Sequence, residues 1–230
     1  MNFRSRIARA AILTSVLSLS LLAVNALAGP PLICHAFDIG DAKSIPFVSH
    51  DWNLSGSENY DTAKLAADTI SILNSSNVTL VHMETLRRAT LYARKDPAAA
   101  KQLITLLISR AEAAKGSAEP NALAVFDAGY LAEAYKQWLG AENNPARRYD
   151  GYALVELALH RRADDPQMEF AAALIAVGNS SLDAHDHARK AVDGAKNDPL
   201  LARNLSAKFL GAQSDTLSAM ITRTKVAKVQ

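Results

Sequence analysis

Apolar residues recur at steps of three and four positions along most of the chain after residue 60. In the stretch 77–96, these steps place the following residues on one face of a helix: Val78, Val81, His82, Leu86, Ala89 and Tyr92. The stretch that begins at Pro97 repeats the pattern and ends at Gly116, a residue suited to a left-handed helix C-cap. The pattern therefore predicts an amphipathic helix over each stretch.

The same periodicity predicts further helices over residues 119–140, 146–163, 166–177, 181–196 and 199–210. The stretch 61–74 also has helical spacing, although its "DTISIL" alternates in a way that is typical of a strand. Three helix starts share an aspartate followed by proline: Asp96-Pro97, Asp165-Pro166 and Asp198-Pro199. Aspartate accepts hydrogen bonds from the first backbone N–H groups of a helix, and proline suits its first position. We therefore expect an all-α domain over residues 60–211.

Residues 29–59 differ from the rest because they contain three prolines and three glycines and show no helical period. They predict an extended or irregular arm. Its apolar residues, which are too numerous for a disordered segment, are Ile33, Phe37, Ile39, Ile45, Phe47, Val48 and Trp52. We therefore expect the arm to pack along the helices. At the other end, residues 212–230 form a basic tail that we expect to be solvated.

The N-terminus has the layout of a secretory signal peptide. Arg4, Arg6 and Arg9 precede an uncharged stretch, residues 10–28, that ends in the small-residue triplet Ala-Leu-Ala. This layout predicts cleavage after Ala28 and export to the periplasm or the medium, with a bacterial source favoured by the single cysteine. The alternative is that the apolar stretch stays in place as a membrane anchor. No later segment has comparable apolar length, so we expect no membrane span after cleavage.

Removal of the leader makes the chain nearly neutral. The full chain has 25 Lys and Arg against 23 Asp and Glu, and the three basic residues of the leader leave 22 against 23. A nearly neutral chain lacks the basic face that neutralises nucleic-acid phosphates, so we expect no nucleic-acid partner. About 200 remaining residues suffice for one domain with its own core.

The aspartate-proline starts lie 69 and 33 residues apart, close to two units and one unit of 34 residues. The stretch 170–199 has an alanine-rich first helix, Gly178 near a turn and alanines at 188 and 191, and it ends in Asp198-Pro199. It resembles a tetratricopeptide repeat. The resemblance implies helix-turn-helix pairs stacked as a short right-handed superhelix, in a family of protein-binding scaffolds with no catalytic residues. A protein or peptide partner in the cell envelope follows as an expectation, with these groove candidates: Tyr130, Tyr135, Trp138, Tyr149 and Tyr152.

Cys34 and His35 carry the main alternative, a cofactor- or metal-binding protein. A lipid anchor does not fit, because glycine and two prolines separate Cys34 from the apolar stretch. Haem attachment by C-x-x-C-H would need cysteine where Pro31 stands. A metal site would need His50, Asp51 or a distant histidine to come close to Cys34. The simplest interpretation is that Cys34 packs as a small apolar side chain, so we predict no cofactor.

"DAHDHARK" suggests a metal cluster, but His185 and His187 are about 200° apart around a helix and cannot share one ion. The spacing places His185 on the apolar stripe and lets His187 pair with Asp183. Asp164 and Asp165 are interpreted as a turn and an N-cap. Without a catalytic motif we predict no enzyme, and a structural envelope component remains a further alternative.

Overall fold

The computed structural model describes residues 31–49, 52–116, 121–177 and 181–209. Within these ranges the regular secondary structure is entirely helical, with nine α-helices, two short 3₁₀-helices and no strand. The prediction of an all-α fold is confirmed. The predicted leader (1–28), the predicted basic tail (212–230), His50 and Gly178 lie outside the described residues.

The α-helices follow one another at short intervals. They are α1 (Leu65–Ser75), α2 (Thr79–Ala93), α3 (Pro97–Lys115), α4 (Ala122–Trp138), α5 (Gly140–Asn143), α6 (Gly151–Arg161), α7 (Pro166–Ala176), α8 (Ser181–Gly194) and α9 (Pro199–Phe209). The two 3₁₀-helices are Thr62–Lys64 and Ala195–Asn197. The ambiguous stretch 61–74 is therefore helical, and only the helix predicted over 146–163 begins distinctly later, at Gly151.

The three aspartates that precede proline cap their helices as predicted. Asp96 accepts hydrogen bonds from the N–H groups of Ala98 and Ala99, at 3.1 and 3.0 Å. Asp165 does the same at the start of α7, and Asp198 accepts from the N–H of Leu201 in α9. The turn before Asp165 is also confirmed, and Asp164 there has a φ of 64°, a left-handed conformation that aspartate tolerates.

Gly116 ends α3 as predicted, but the expected left-handed cap is wrong. Its φ is −87° and its N–H bonds to the carbonyl of Ala114, which is a tightened right-handed turn. The glycine therefore uses no conformational freedom at this position.

The core is built around α2, α4 and α7, and α2 contacts both of the others. Every residue of α2 except Arg88 is buried, and burial is continuous from Ala122 to Tyr135 in α4 and from Met168 to Ala176 in α7. Helices buried on all sides need small side chains where they meet, and both α4 and α7 are rich in alanine. The remaining helices cover this centre.

The described part of the arm, residues 31–49 and 52–59, contains no helix or strand. Leu32, Ile33, Phe37 and Ile45 are nonetheless buried in the same core as the helices. The expectation that the arm packs on the helices is confirmed at Ile33, Phe37 and Ile45, and Phe47 is packed against the same core. Val48 and Trp52 are largely exposed, at 69% and 52%.

Candidate functional site

Two tryptophans, the only two of the chain, meet beside the C-terminal ends of α2 and α4. Trp52 belongs to the arm and Trp138 ends α4; their ring centroids are 5.9 Å apart, with the rings inclined at 72°. Nε1 of Trp138 is buried and has no hydrogen-bond partner in the described structure. The half-exposed indole of Trp52 marks a surface where a ligand would gain apolar contact area.

Arg94 follows α2 directly and covers Trp138. Its guanidinium carbon lies 4.7 Å from the centroid of the Trp138 ring, which is a cation–π contact. The side chain is exposed and makes no hydrogen bond or ion pair with a described residue. The ring therefore holds the guanidinium in place while its N–H donors stay open to a ligand.

A cavity of about 300 Å³ opens beside these two side chains. Its described lining residues are Ala93, Arg94, Pro97, Trp138, Leu139, Gly140 and Asn143. Gly140, with a φ of 71°, makes the left-handed turn between α4 and α5 that shapes one wall. We call Trp52, Arg94, Trp138 and this cavity the tryptophan surface.

A buried ionic network on α2 holds the arm that leads to this surface. The side chains of Glu84 and Arg87 are both fully buried, and Glu84 accepts hydrogen bonds from Arg87, Arg88 and the N–H of Phe37 at 2.7 to 2.9 Å. Burial alone would raise the pKa of Glu84, but the two guanidinium groups and the Phe37 N–H outweigh it and lower that pKa. The carboxylate is thus ionised and fully paired.

The cationic and phenolic groups of α2 also bind carbonyls of the arm. Arg87 donates to the carbonyl of Ile33 and Arg88 to that of Ile45, at 3.2 and 2.8 Å. The hydroxyl of Tyr92 donates to the carbonyl of Pro46 at 2.6 Å. These main-chain contacts fix the arm a few residues before Trp52, so the ionic network positions one wall of the tryptophan surface.

The five predicted partner-binding residues lie in different environments. Tyr130 and Tyr135 are in the core with 0% exposure, which leaves them no surface for a partner. Tyr149 lies under the guanidinium of Arg148, and Tyr152 is partly buried against α8. Trp138 is the one candidate that belongs to the tryptophan surface. Partner binding by Trp138, Tyr149 and Tyr152 stays a prediction.

Cys34 is half-buried and His35 is exposed, while their neighbours Leu32, Ile33 and Phe37 enter the core. In the described part of the chain, no three His, Cys, Asp or Glu side chains come together as a metal site would require. His50, the third predicted ligand, lies outside the described residues.

His82 forms a buried pair that the helical pattern does not reveal. Its Nδ1 lies 2.6 Å from a carboxylate oxygen of Asp127, and its Nε2 lies 2.9 Å from the carbonyl of Ser76. Burial alone would lower the pKa of His82, but the Asp127 carboxylate and the Ser76 carbonyl outweigh it and raise that pKa. With an acceptor at each ring nitrogen, the imidazolium form has a hydrogen bond for both protons, and neither nitrogen is available to a substrate.

His187 is the buried histidine of α8, whereas His185 is only half-buried. Its predicted pairing with Asp183 is replaced by contacts to other helices: Nδ1 lies 2.5 Å from Glu169, and Nε2 lies 2.9 Å from the Tyr152 hydroxyl. Burial alone would raise the pKa of Glu169, but hydrogen bonds from His187 and Lys190 lower it. The cluster connects α8 to α6 and α7.

Sequence reasoning missed Arg94 and the meeting of the two tryptophans. Arg94 was one of many charged residues after a helix, and Trp52 was counted only among the apolar residues of the arm. The one available signal was that Trp138 lies near the end of the helix predicted over 119–140.

The fold and the site define an all-α protein that presents an aromatic and cationic surface cavity. No protein-family model matches this chain, and neither a curated protein nor a solved structure is significantly similar to it. Among the described helices, none is both long enough and apolar enough to cross a membrane.

Proposed function

We propose that this protein is an exported scaffold that binds a peptide segment of a partner protein at the tryptophan surface. The observation that carries the proposal is that Arg94 and Trp138 line an open cavity and that Trp52 contacts Trp138. Tryptophan and arginine are the residue types most enriched among those that dominate binding energy at protein interfaces. Covering a half-exposed indole also removes a large apolar area from water.

For the arrangement of the helices, we propose that consecutive helices stack as tetratricopeptide-like pairs. It is supported by the extensive packing of α3 on α4 and of α7 on α8, which are consecutive in the chain. A right-handed superhelix of such pairs would expose the ends of its helices, and the tryptophan surface lies at the ends of α2 and α4.

Export is proposed from the arginines and the uncharged stretch at the N-terminus. The test is the intact mass of the protein purified from its own host. A mass equal to residues 29–230 would support export with cleavage after Ala28. A mass that includes residues 1–28 would contradict cleavage.

Binding is tested with a library of random peptides displayed with their C-termini exposed. Peptides that bind the double variant Trp52→Ala, Arg94→Gln are first removed from the library. The remaining peptides are then selected for binding to the unchanged full-length protein, so that only peptides dependent on the tryptophan surface are kept. We expect discrete sequences to be enriched, and synthetic versions of them to change the emission of the two tryptophans.

The matched control is Val177→Ala, which changes a similarly exposed apolar residue at the end of α7. Enriched peptides should bind this variant as they bind the unchanged protein. Peptides that bind the double variant equally well, or the absence of any enriched peptide, would contradict the proposed function.

A further inference from the structure

We propose that the tryptophan surface binds the C-terminal residue of its partner, with the terminal carboxylate on Arg94 and an apolar side chain in the cavity beside Trp138. This inference rests on the proposed peptide-binding function and names the chemistry of the ligand.

Arg94 differs from the other arginines that lie over aromatic rings in the described structure. Arg87 and Arg88 lie over Phe47, but both are paired with Glu84. Arg148 lies over Tyr149 and donates to its hydroxyl. Arg94 alone of these four has no acceptor for its guanidinium in the described structure. A planar guanidinium held by a ring and lacking an acceptor is preorganised for a carboxylate, which it binds through two parallel hydrogen bonds.

The local charge favours an anion. No acidic residue is among the described residues that line the cavity. Lys95 follows Arg94 and is exposed. The nearest acid in sequence, Asp96, accepts hydrogen bonds from the start of α3 and from the hydroxyl of Thr62, at 2.7 Å for the latter. Its charge is therefore partly satisfied within the protein, and Arg94 retains its attraction for an external carboxylate.

The cavity has room for little more than one residue. Its volume of about 300 Å³ is at the lower end of the range for ligand pockets. Arg94 and Trp138 are in direct contact, so the charged and apolar groups of the ligand must be equally close together. A C-terminal residue carries its carboxylate one bond from the carbon that bears its side chain. Within a chain, an acidic residue would have to use a neighbouring residue for the apolar contact.

The test is a binding titration followed by tryptophan emission, because both tryptophans of the chain belong to this surface. The probe is an acetylated tetrapeptide of three alanines and a terminal phenylalanine, which does not absorb at the excitation wavelength of tryptophan. Three comparison ligands are the same peptide with a C-terminal amide, an amidated peptide with an internal glutamate before phenylalanine, and N-acetylphenylalanine. Calorimetry on the same samples gives an independent affinity.

We expect the acid to bind at least about tenfold more tightly than either amidated peptide, since a charge-assisted pair of hydrogen bonds is lost with the amide. Arg94→Gln should lower the affinity for the tetrapeptide acid by about tenfold and leave the affinity for its C-terminal amide unchanged. The matched control is Arg189→Gln on α8. Among the described residues, Arg189 forms one ion pair, with the exposed Asp186, so this variant should bind the acid and the amide as the unchanged protein does.

Equal binding of acid and amide, with no effect of Arg94→Gln, would overturn the carboxylate inference and leave the proposed peptide binding intact. Tighter binding of the internal glutamate peptide would also overturn it, in favour of acidic segments. N-acetylphenylalanine that binds as tightly as the tetrapeptide acid would also overturn the inference, because the site would then bind small carboxylic acids and not the end of a partner chain. If no probe binds while library peptides do, the inference fails and the proposed function stands.

Discussion

The hydroxyl of Tyr130 is buried in the core without a hydrogen-bond partner in the described structure. Burial raises the pKa of this phenol well above its ordinary value, so the group stays neutral. A buried hydroxyl that lacks a partner costs free energy. We predict that Tyr130→Phe leaves the free energy of unfolding unchanged or raises it by up to about 1 kcal/mol, measured by urea denaturation.

The control for this prediction is Tyr92→Phe. The Tyr92 hydroxyl donates to the carbonyl of Pro46, so its removal should lower the free energy of unfolding by about 1 kcal/mol. A loss of similar size in Tyr130→Phe would show that the Tyr130 hydroxyl has a partner after all.

The pair of His82 and Asp127 predicts how stability changes with pH. The pKa of His82 is raised above its ordinary value of 6.5, and burial raises that of Asp127, so the folded state holds protons more tightly than the unfolded state at both groups. The His82 contribution is therefore complete below pH 6.5 and is lost as pH rises through the folded pKa. For this reason, we expect the urea concentration at the midpoint of unfolding to decrease as the pH is raised from 6 to 9.

Asp127→Asn should lower the free energy of unfolding by roughly 3 to 5 kcal/mol near pH 6, because the buried imidazolium loses its anion, and should flatten the pH dependence. His160→Gln, which changes an exposed histidine on α6, should keep the wild-type dependence. An unchanged slope in Asp127→Asn would mean that other groups cause the pH effect.

At the scale of the helices, α4 and α6 approach each other closely at two glycines. A Cβ on Gly129 would lie 2.6 Å from the carbonyl oxygen of Gly151 and 2.8 Å from the Cβ of Leu154. Because one of these atoms is backbone, the helices would have to separate. We predict that Gly129→Ala lowers the free energy of unfolding by about 3 kcal/mol, measured by thermal and urea unfolding.

The matched control is Gly116→Ala at the end of α3. A Cβ there meets no atom of a described residue closer than 3.9 Å, and the backbone is right-handed with a φ of −87°. We expect this variant to be neutral or slightly more stable, because alanine restricts the unfolded chain more than glycine does. If both variants lost stability equally, close helix packing would not be the cause.

At the scale of the whole molecule, the arm and the helices form one unit through Glu84. Glu84→Gln would leave Arg87 buried without a full counter-charge, so we predict a loss of roughly 3 to 5 kcal/mol in the free energy of unfolding. Hydrogen exchange should speed up at the N–H of Phe37, which donates to Glu84, because the arm is then held less tightly.

The control is Glu112→Gln on α3. Glu112 pairs with Lys115 at the same three-residue spacing, but both side chains are substantially exposed. Its replacement should change stability by less than about 0.5 kcal/mol. Slow exchange of the Phe37 N–H in Glu84→Gln would show that other contacts hold the arm.

The helical segments and three of the helix starts follow from the amino-acid sequence alone. Helix periodicity is a local property, and an aspartate-proline start needs only the residues that follow it, so α3, α7 and α9 begin where the pattern predicts. The prolines and glycines of the arm predict an irregular segment, and its apolar residues predict that it packs against the helices. Local signals failed at Gly116, where composition favours a left-handed cap but the backbone stays right-handed.

Only the tertiary structure decided what the charged and aromatic residues do. Glu84 with Arg87 and Glu112 with Lys115 have the same spacing in sequence, and burial alone makes the first pair part of the core. Similarly, Tyr135 is enclosed while Trp138, three residues later, meets Trp52 from the arm. These outcomes depend on contacts between segments far apart in the chain, and helix periodicity contains no information about which distant segment covers a given face.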